Sequence, residues 1–266
     1  MNAKIILNEG LKKFQRLQFE LLGFTCPIFI RERTSFCLVG SSCLIKNLNR
    51  SYIVTATHVA DAIQNKEYFI LGKDNAPYKI SFNFICAINK KDQYDTVDSC
   101  FAEISDNDSK ILEQRWRFWD ISNSADRVKI SQDVAYSLIG YPASKNVFRS
   151  NINPIAYVLT KSKANLDIYK KYNYDPKYNI MIEFDPEDCV YLNDINDINI
   201  DQLVTFPKAN GISGCPLWYT LDFQNVDSFV TKPILIGIIK EQTNDKKYLI
   251  AAKSEIACHG IRNMKL

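Results

Sequence analysis

From Cys26 onward the chain breaks into short apolar runs bounded by turn residues, and this texture limits its fold more than any other feature. The first runs are Ile28–Ile30, Phe36–Val39, Cys43–Ile45 and Ser51–Thr55, separated by turns such as Gly40-Ser41-Ser42 and Asn47–Arg50. Tyr68–Leu71, Ile80–Ile88 and Cys100–Ile104 follow. After a charged, Trp-bearing connection at Leu112–Ser124, the runs resume at Val134–Ile139, Ile155–Thr160, Ile180–Phe184, Val204–Phe206, Pro216–Thr220, Pro233–Ile239 and Tyr248–Ala252. Many short strands with regular turn signals and few helices predict an all-β sandwich or barrel. Helical periodicity is confined to the ends. Leu11, Phe14, Leu17 and Leu21 recur at helical spacing between a capping Asn8 and a terminating Gly23, and Lys253–Met264 fits a closing helix. The chain is long enough, at 266 residues, for one large β domain or two small barrels. The expected division is a helical leader over residues 1–24 and two β units over residues 25–124 and 125–266, the second carrying the closing helix.

Several function classes drop out early. No window approaches the roughly 18 unbroken apolar residues of a membrane span, and no export signal precedes the charged N-terminal segment. The net charge of +3 is scattered, with Lys12-Lys13 and Lys170-Lys171 the densest basic runs, so the stripe expected of a nucleic-acid binder is missing. Eight cysteines form no Cys-x-x-Cys pair, and with two histidines a zinc site is not expected. Free thiols in a reducing, cytoplasmic setting are the economical reading. Asp167–Lys177 and Asn193–Asp201 read as polar insertions, and the second lacks the glycine and terminal glutamate of an EF-hand loop.

Two places carry chemistry. His58 ends an apolar strand, Tyr52-Ile53-Val54-Thr55-Ala56-Thr57-His58, whereas His259 lies in the closing helix and reads as structural. In Asn210-Gly211-Ile212-Ser213-Gly214-Cys215-Pro216, a serine stands in a tight glycine turn where its hydroxyl is exposed and backbone N–H groups can converge. Either motif alone is common in unrelated chains.

Together they resemble the trypsin-like serine peptidases over about residues 26–260. Gly40-Ser41-Ser42-Cys43 followed by Thr55-Ala56-Thr57-His58 resembles the family's first motif, and Asp98-Ser99-Cys100-Phe101 its aspartate before a core strand. Gly140-Tyr141-Pro142 resembles a turn of intracellular bacterial and HtrA-like members. Gly211–Pro216 resembles the nucleophile loop, with Cys215 in place of a glycine, and Ile236-Gly237-Ile238-Ile239 the cleft strand.

The resemblance implies two packed six-stranded antiparallel β-barrels with helices at both ends. It further implies an endopeptidase with Ser213 as nucleophile, His58 as general base and Asp98 as its orienting partner. Asp92 and Asp95 are nearby rivals for the third role. The N–H groups of Gly211 and Ser213 would form the oxyanion hole, and Ile239, Lys240 and Glu241 would line the substrate cleft. No cofactor or metal is implied. The expected partner is a protein or peptide substrate, with no nucleic acid or membrane, and a regulatory partner protein is conceivable. A catalytically silent double barrel used for binding is the alternative, and an esterase with the same triad a third reading.

Departures from the pattern matter too. Val59 stands where secreted members place a cysteine. Ile212 replaces the aspartate that receives the new N-terminus in zymogen-activated members, and the charged Lys240-Glu241-Gln242 run argues against ordinary trypsin or chymotrypsin specificity.

Overall fold

A computed structural model describes residues 16–86, 97–124, 134–148, 156–184, 189–192, 210–222 and 229–264. Helix α1 (residues 16–22) leads into β1 (Thr25–Glu32), β2 (Ser35–Asn47) and β3 (Arg50–Thr55). Helix α2 (Thr57–Ile63), β4 (Tyr68–Leu71), β5 (Pro77–Lys79), β6 (Ile85–Cys86) and β7 (Cys100–Ile104) follow. Helix α3 (Asp106–Leu112) and β8 (Trp119–Asp120) close this half. The second half contains β9 (Val134–Gly140), β10 (Val147–Phe148), β11 (Ala156–Ser162), α4 (Leu166–Lys171), β12 (Asn179–Glu183) and β13 (Cys189–Leu192). It ends with β14 (Pro216–Asp222), β15 (Phe229–Gln242), β16 (Tyr248–Lys253) and α5 (Ser254–Asn263).

These strands form two sheets. One runs β5-β4-β1-β2-β3-β7-β6 with β8 and β10 added beside β2; the other runs β12-β16-β15-β14-β9-β11-β13. Pairing is antiparallel throughout except for the short β2–β8 contact. The described sheets hold nine and seven strands where six each were expected; the first reaches nine by counting fragments of two or three residues, β5, β6, β8 and β10. The alternating runs seen in the sequence supply the buried faces: Leu44, Ile53 and Ile70 in the first half, and Leu138, Ile182, Ile239 and Leu249 in the second. Burying a side chain of this size contributes about 1.5–3 kcal/mol, so the apolar pattern sets which face of each strand turns inward.

The halves are interlocked. Trp119 and Trp218 meet edge to face at 6.0 Å, and Trp119 Nε1 donates to the carbonyl of Pro233 at 3.0 Å. Helix α1 sits with Leu21 wholly buried while Gln18 Nε2 donates to Ser137 Oγ of β9 at 3.2 Å, so it reaches across to the second sheet. Helix α5 makes the opposite crossing. A Cβ on Gly260 would lie 2.6 Å from the Phe101 ring, and Arg262 donates to the carbonyl of Ile121 at 3.1 Å.

Four regions differ from the sequence expectations. Gly40-Ser41-Ser42, read as a turn between two strands, lies inside the continuous β2, where it pairs with Ile28, Pro27 and Cys26 of β1. The run at Ile80–Ile88 forms a ladder only through Ile85 and Cys86 among the described residues; residues 81–84 belong to no strand. The Tyr/Lys-rich stretch read as an insertion loop contains helix α4. Asn165 Oδ1 accepts the Asp167 N–H at 2.7 Å as its cap, and Tyr169 is buried beneath it. The charged connection at Leu112–Ser124 includes the end of α3 and the parallel strand β8. The first half of the expected N-terminal helix, the Asn193–Asp201 stretch and the Val204–Phe206 run lie outside the described residues.

Candidate active site

His58 is placed by the end of β3. Thr55 closes the strand, Ala56 stays extended, and the chain turns into α2, whose Val59, Ala60 and Ile63 are buried against the first sheet. This leaves His58 in the first turn with its side chain half exposed. Asp98 lies two residues before β7 and adopts a left-handed φ of 41°, which an aspartate tolerates better than most residues.

Both carboxylate oxygens of Asp98 are engaged by the same residue. The His58 backbone N–H donates to Oδ1 at 3.1 Å, and Nδ1 lies 2.7 Å from Oδ2. A carboxylate can only accept, so Nδ1 carries the proton and Nε2 is left as the acceptor. The hydrogen bond to Asp98 raises the His58 pKa above its ordinary value; burial opposes the rise, and the Asp98, Glu241 and Asp61 charges add to it.

Ser213 lies between two glycines with left-handed backbones, Gly211 at φ 93° and Gly214 at φ 87°. Neither position has room for a side chain. A Cβ on Gly214 would lie 1.8 Å from the Ser41 carbonyl oxygen, and one on Gly211 would lie 2.6 Å from the Ala143 nitrogen. Strand β2 holds this loop from the first sheet. Ser41 N–H donates to the Ser213 carbonyl at 2.8 Å, Ser41 Oγ donates to the Gly211 carbonyl at 3.3 Å, and Thr55 Oγ1 donates to the Ser41 carbonyl at 2.7 Å.

From the second half, Gly214 N–H donates to the Ile239 carbonyl at 2.7 Å and Ala143 N–H to the Asn210 carbonyl at 2.7 Å. The Gly140 turn is also constrained, since a Cβ there would lie 2.6 Å from Cys215 Sγ. Cys215 is fully buried, and burial pushes its thiol up to about 12, as expected of a packing residue. The backbone N–H groups of Gly211 and Ser213 donate to no group among the described residues.

His58, Asp98, Gly211, Ser213, Ile239, Lys240 and Glu241 line one cleft of about 550 Å³, joined by Val39, Asn210, Ile212 and Gln242. Every expected site residue therefore borders the same space. The Ser213 hydroxyl donates to the Lys240 carbonyl at 3.0 Å, so in this conformation it is turned toward the cleft strand instead of toward His58. The Lys240 side chain is buried, its Nζ 4.9 Å from the Tyr174 ring centroid and 3.4 Å from Glu241 Oε1. Of the charged cleft-strand pair, only Glu241 is substantially exposed.

Tyr174 comes from the segment after α4. Burial, the Glu241 charge and a hydrogen bond to Glu241 all raise its pKa. Ser41 and Thr55 stood in the sequence motifs without a role of their own, and nothing in the sequence marked Tyr174, whose partners Lys240 and Glu241 are far away along the chain. Asp92 and Asp95 lie outside the described residues. His259 makes its contact with Asn263 in α5, at 2.8 Å, and does not border the cleft. Among the described residues no three His, Cys, Asp or Glu side chains gather where they could share a metal ion, and no helix is long and apolar enough to cross a membrane.

No family model matches the chain, and no curated protein matches it. Solved structures do. The chain is similar to the crystal structure of a thermostable serine protease, AL20, from an extremophilic microorganism. The TM-score is 0.52 at 11% identity, over 91% of this chain and 98% of that one. A structure described for the coupled folding and binding of the intrinsically disordered Sesbania mosaic virus VPg protein matches with a TM-score of 0.49 at 11% identity, over 90% of this chain and 95% of that one. The first likeness fixes the fold as the trypsin-like double β-barrel architecture.

Proposed function

We propose that this chain is a serine endopeptidase acting inside the cell on protein or peptide substrates, through a His58–Asp98–Ser213 triad and an acyl-enzyme. The observation that carries the reading is the two-point grip of Asp98 on His58 in a cleft shared with Ser213. A histidine fixed as the Nδ1–H tautomer presents Nε2 to a nucleophile, which is the state general-base catalysis requires.

In the proposed reaction the Ser213 hydroxyl swings from the Lys240 carbonyl toward His58 and attacks the scissile carbonyl while Nε2 takes its proton. The carbonyl oxygen, now negative, is received by the unengaged N–H groups of Gly211 and Ser213. Each such donor contributes about 3–4 kcal/mol in comparable sites. His58 then returns the proton to the leaving amine, and water repeats the cycle on the acyl-enzyme. Asp98 stabilises the imidazolium formed in each half.

The Ser213–Lys240 hydrogen bond favours one second reading, a silent double barrel that binds without cleaving. A fluorophosphonate separates the two. Covalent label at Ser213 of the full-length chain, lost in Ser213→Ala, supports the enzyme, and proteome-wide mapping of new termini then gives the substrates. An unlabelled, folded protein would favour the binding module.

A further inference from the structure

The ladder that begins two residues after Asp98 sets two thiols face to face. Strand β6 pairs antiparallel with β7, placing Cys86 directly opposite Cys100 and Ile85 opposite Phe101. Opposed residues of an antiparallel pair have Cα atoms about 4.5–5.5 Å apart, within the roughly 4.4–6.8 Å that a disulfide spans. Both residues are reduced cysteines, and their sulfurs share a hydrogen bond.

Their environments are unequal. Cys86 is partly exposed and lines an open groove of about 500 Å³ beside α2, with Ile63, Tyr68, Phe82 and Phe84. Cys100 is buried, and its sulfur lies 3.7 Å from the carbonyls of Thr55 and Ala56, the two residues leading to the turn that carries His58. An accessible thiol backed by a buried one, with β6 at the edge of the sheet, is the arrangement of an attacking and a resolving cysteine.

We propose that Cys86 and Cys100 are a reversible disulfide site, closed by a small-molecule disulfide such as glutathione disulfide entering this groove. The Cys86 thiolate attacks one glutathione sulfur, breaking its S–S bond and releasing one glutathione thiolate. The Cys100 thiolate then attacks the Cys86 sulfur and releases the second. The two protein thiols are oxidised, one glutathione disulfide is reduced to two glutathione molecules, and the thiol protons pass to the departing thiolates. In the reduced pair the hydrogen bond to Cys86 and burial hold the Cys100 thiol pKa well above its ordinary value, which leaves Cys86 as the attacking thiol.

The test is independent of any peptidase activity. The reduced full-length chain is equilibrated with glutathione disulfide, alkylated, digested and analysed by mass spectrometry without reductant. The expected product joins the Cys86 and Cys100 peptides and is lighter than their sum by two hydrogens. Dithiothreitol should reverse it. Closing a loop of about 15 residues should raise the thermal midpoint by roughly 5–10 °C. Cys86→Ser, a change at a partly exposed margin, should abolish both the crosslink and the shift. Cys100→Ala provides a second variant without a new buried hydroxyl. A Cys86–glutathione adduct that never transfers while Cys100 stays alkylatable, or a crosslink between other cysteines only, would overturn the proposal.

Discussion

Gly214→Ala tests whether strand β2 sets the loop that carries Ser213. A Cβ at this position would lie 1.8 Å from the Ser41 carbonyl oxygen and 2.3 Å from Thr55 Oγ1. Neither atom can yield cheaply, because the Ser41 carbonyl lies in the β2 backbone and already accepts from Thr55 at 2.7 Å. The loop would have to withdraw, stretching the Ser41 N–H to Ser213 bond (2.8 Å) and the Gly214 N–H to Ile239 bond (2.7 Å). Placing an alanine at φ 87° costs about 1–2 kcal/mol, and each buried hydrogen bond lost costs about 0.5–1.5 kcal/mol. The expected total is about 2–5 kcal/mol, read as a lower urea midpoint with an unchanged slope. Fluorophosphonate labelling should fall at least tenfold even at temperatures where the variant stays folded, since displaced backbone donors no longer face the cleft. A loss below about 1 kcal/mol with undiminished labelling would refute the reasoning, because the Cβ could be accommodated only if the loop were not pressed against β2.

The remaining expectations concern the His58 group. Ser213→Ala should lower peptide hydrolysis by several orders of magnitude, about 10⁶-fold in a comparable triad, with circular dichroism unchanged; near-normal turnover would remove Ser213 as nucleophile. Hydrolysis should rise with pH through a His58 ionisation displaced above the ordinary histidine value of about 6.5, because only neutral imidazole accepts the serine proton; an unshifted or absent ionisation in the rate profile would count against the Asp98 contact as its cause. The stability contribution has the opposite sense. With the folded pKa raised, it is fully present below about pH 6.5 and is lost as pH rises through the folded value, which urea melts across that window would detect. Asp98→Asn should remove the displacement and depress turnover roughly 10⁴-fold by favouring the wrong tautomer; His58→Ala should abolish turnover while His259→Ala leaves it unchanged, and equal losses from the two would place the site elsewhere.

How much of this was legible in the sequence depends on the range of the interaction. The apolar runs along β3, β9 and β15 announced themselves because alternation and turn residues are local signals, and their strands appear close to the expected positions, whereas Gly40-Ser41-Ser42, read as a turn between two runs, is the middle of the single strand β2. The run after Ile80 was overread: apolar content suggested a long strand, but a ladder needs a partner, and only Ile85 and Cys86 find one among the described residues. Helix α4 was missed for the opposite reason. Its six residues carry too little apolar periodicity to stand out, and its stability comes from an Asn165 cap and the buried Tyr169. At the site, His58 and Ser213 were visible through their neighbours, whereas Lys240 could not be sorted by type. A lysine in a charged run reads as solvent-exposed, yet its ammonium is buried over Tyr174 and beside Glu241. Only tertiary contact decides that.

The same distinction bears on how the Ser213 loop keeps its shape. In zymogen-activated trypsin-like peptidases a buried ammonium pairs with an aspartate at the position of Ile212, and such a pair persists because each charge compensates the other. Here Ile212 is buried in the apolar cluster with Leu138, Cys215 and Leu217, where an ammonium would find no counter-charge from it. The positional work is done instead by neutral backbone contacts: Ser41 from the first sheet, and Ala143 and Ile239 from the second. Each bond is modest, but they fix three sides of a loop whose two glycines would otherwise leave it many conformations. Since the anchors come from both sheets, the loop is ordered only when the sheets are docked. The Trp119–Trp218 contact and the two crossing helices hold that docking. Formation of the cleft is thus coupled to the docking of the two sheets.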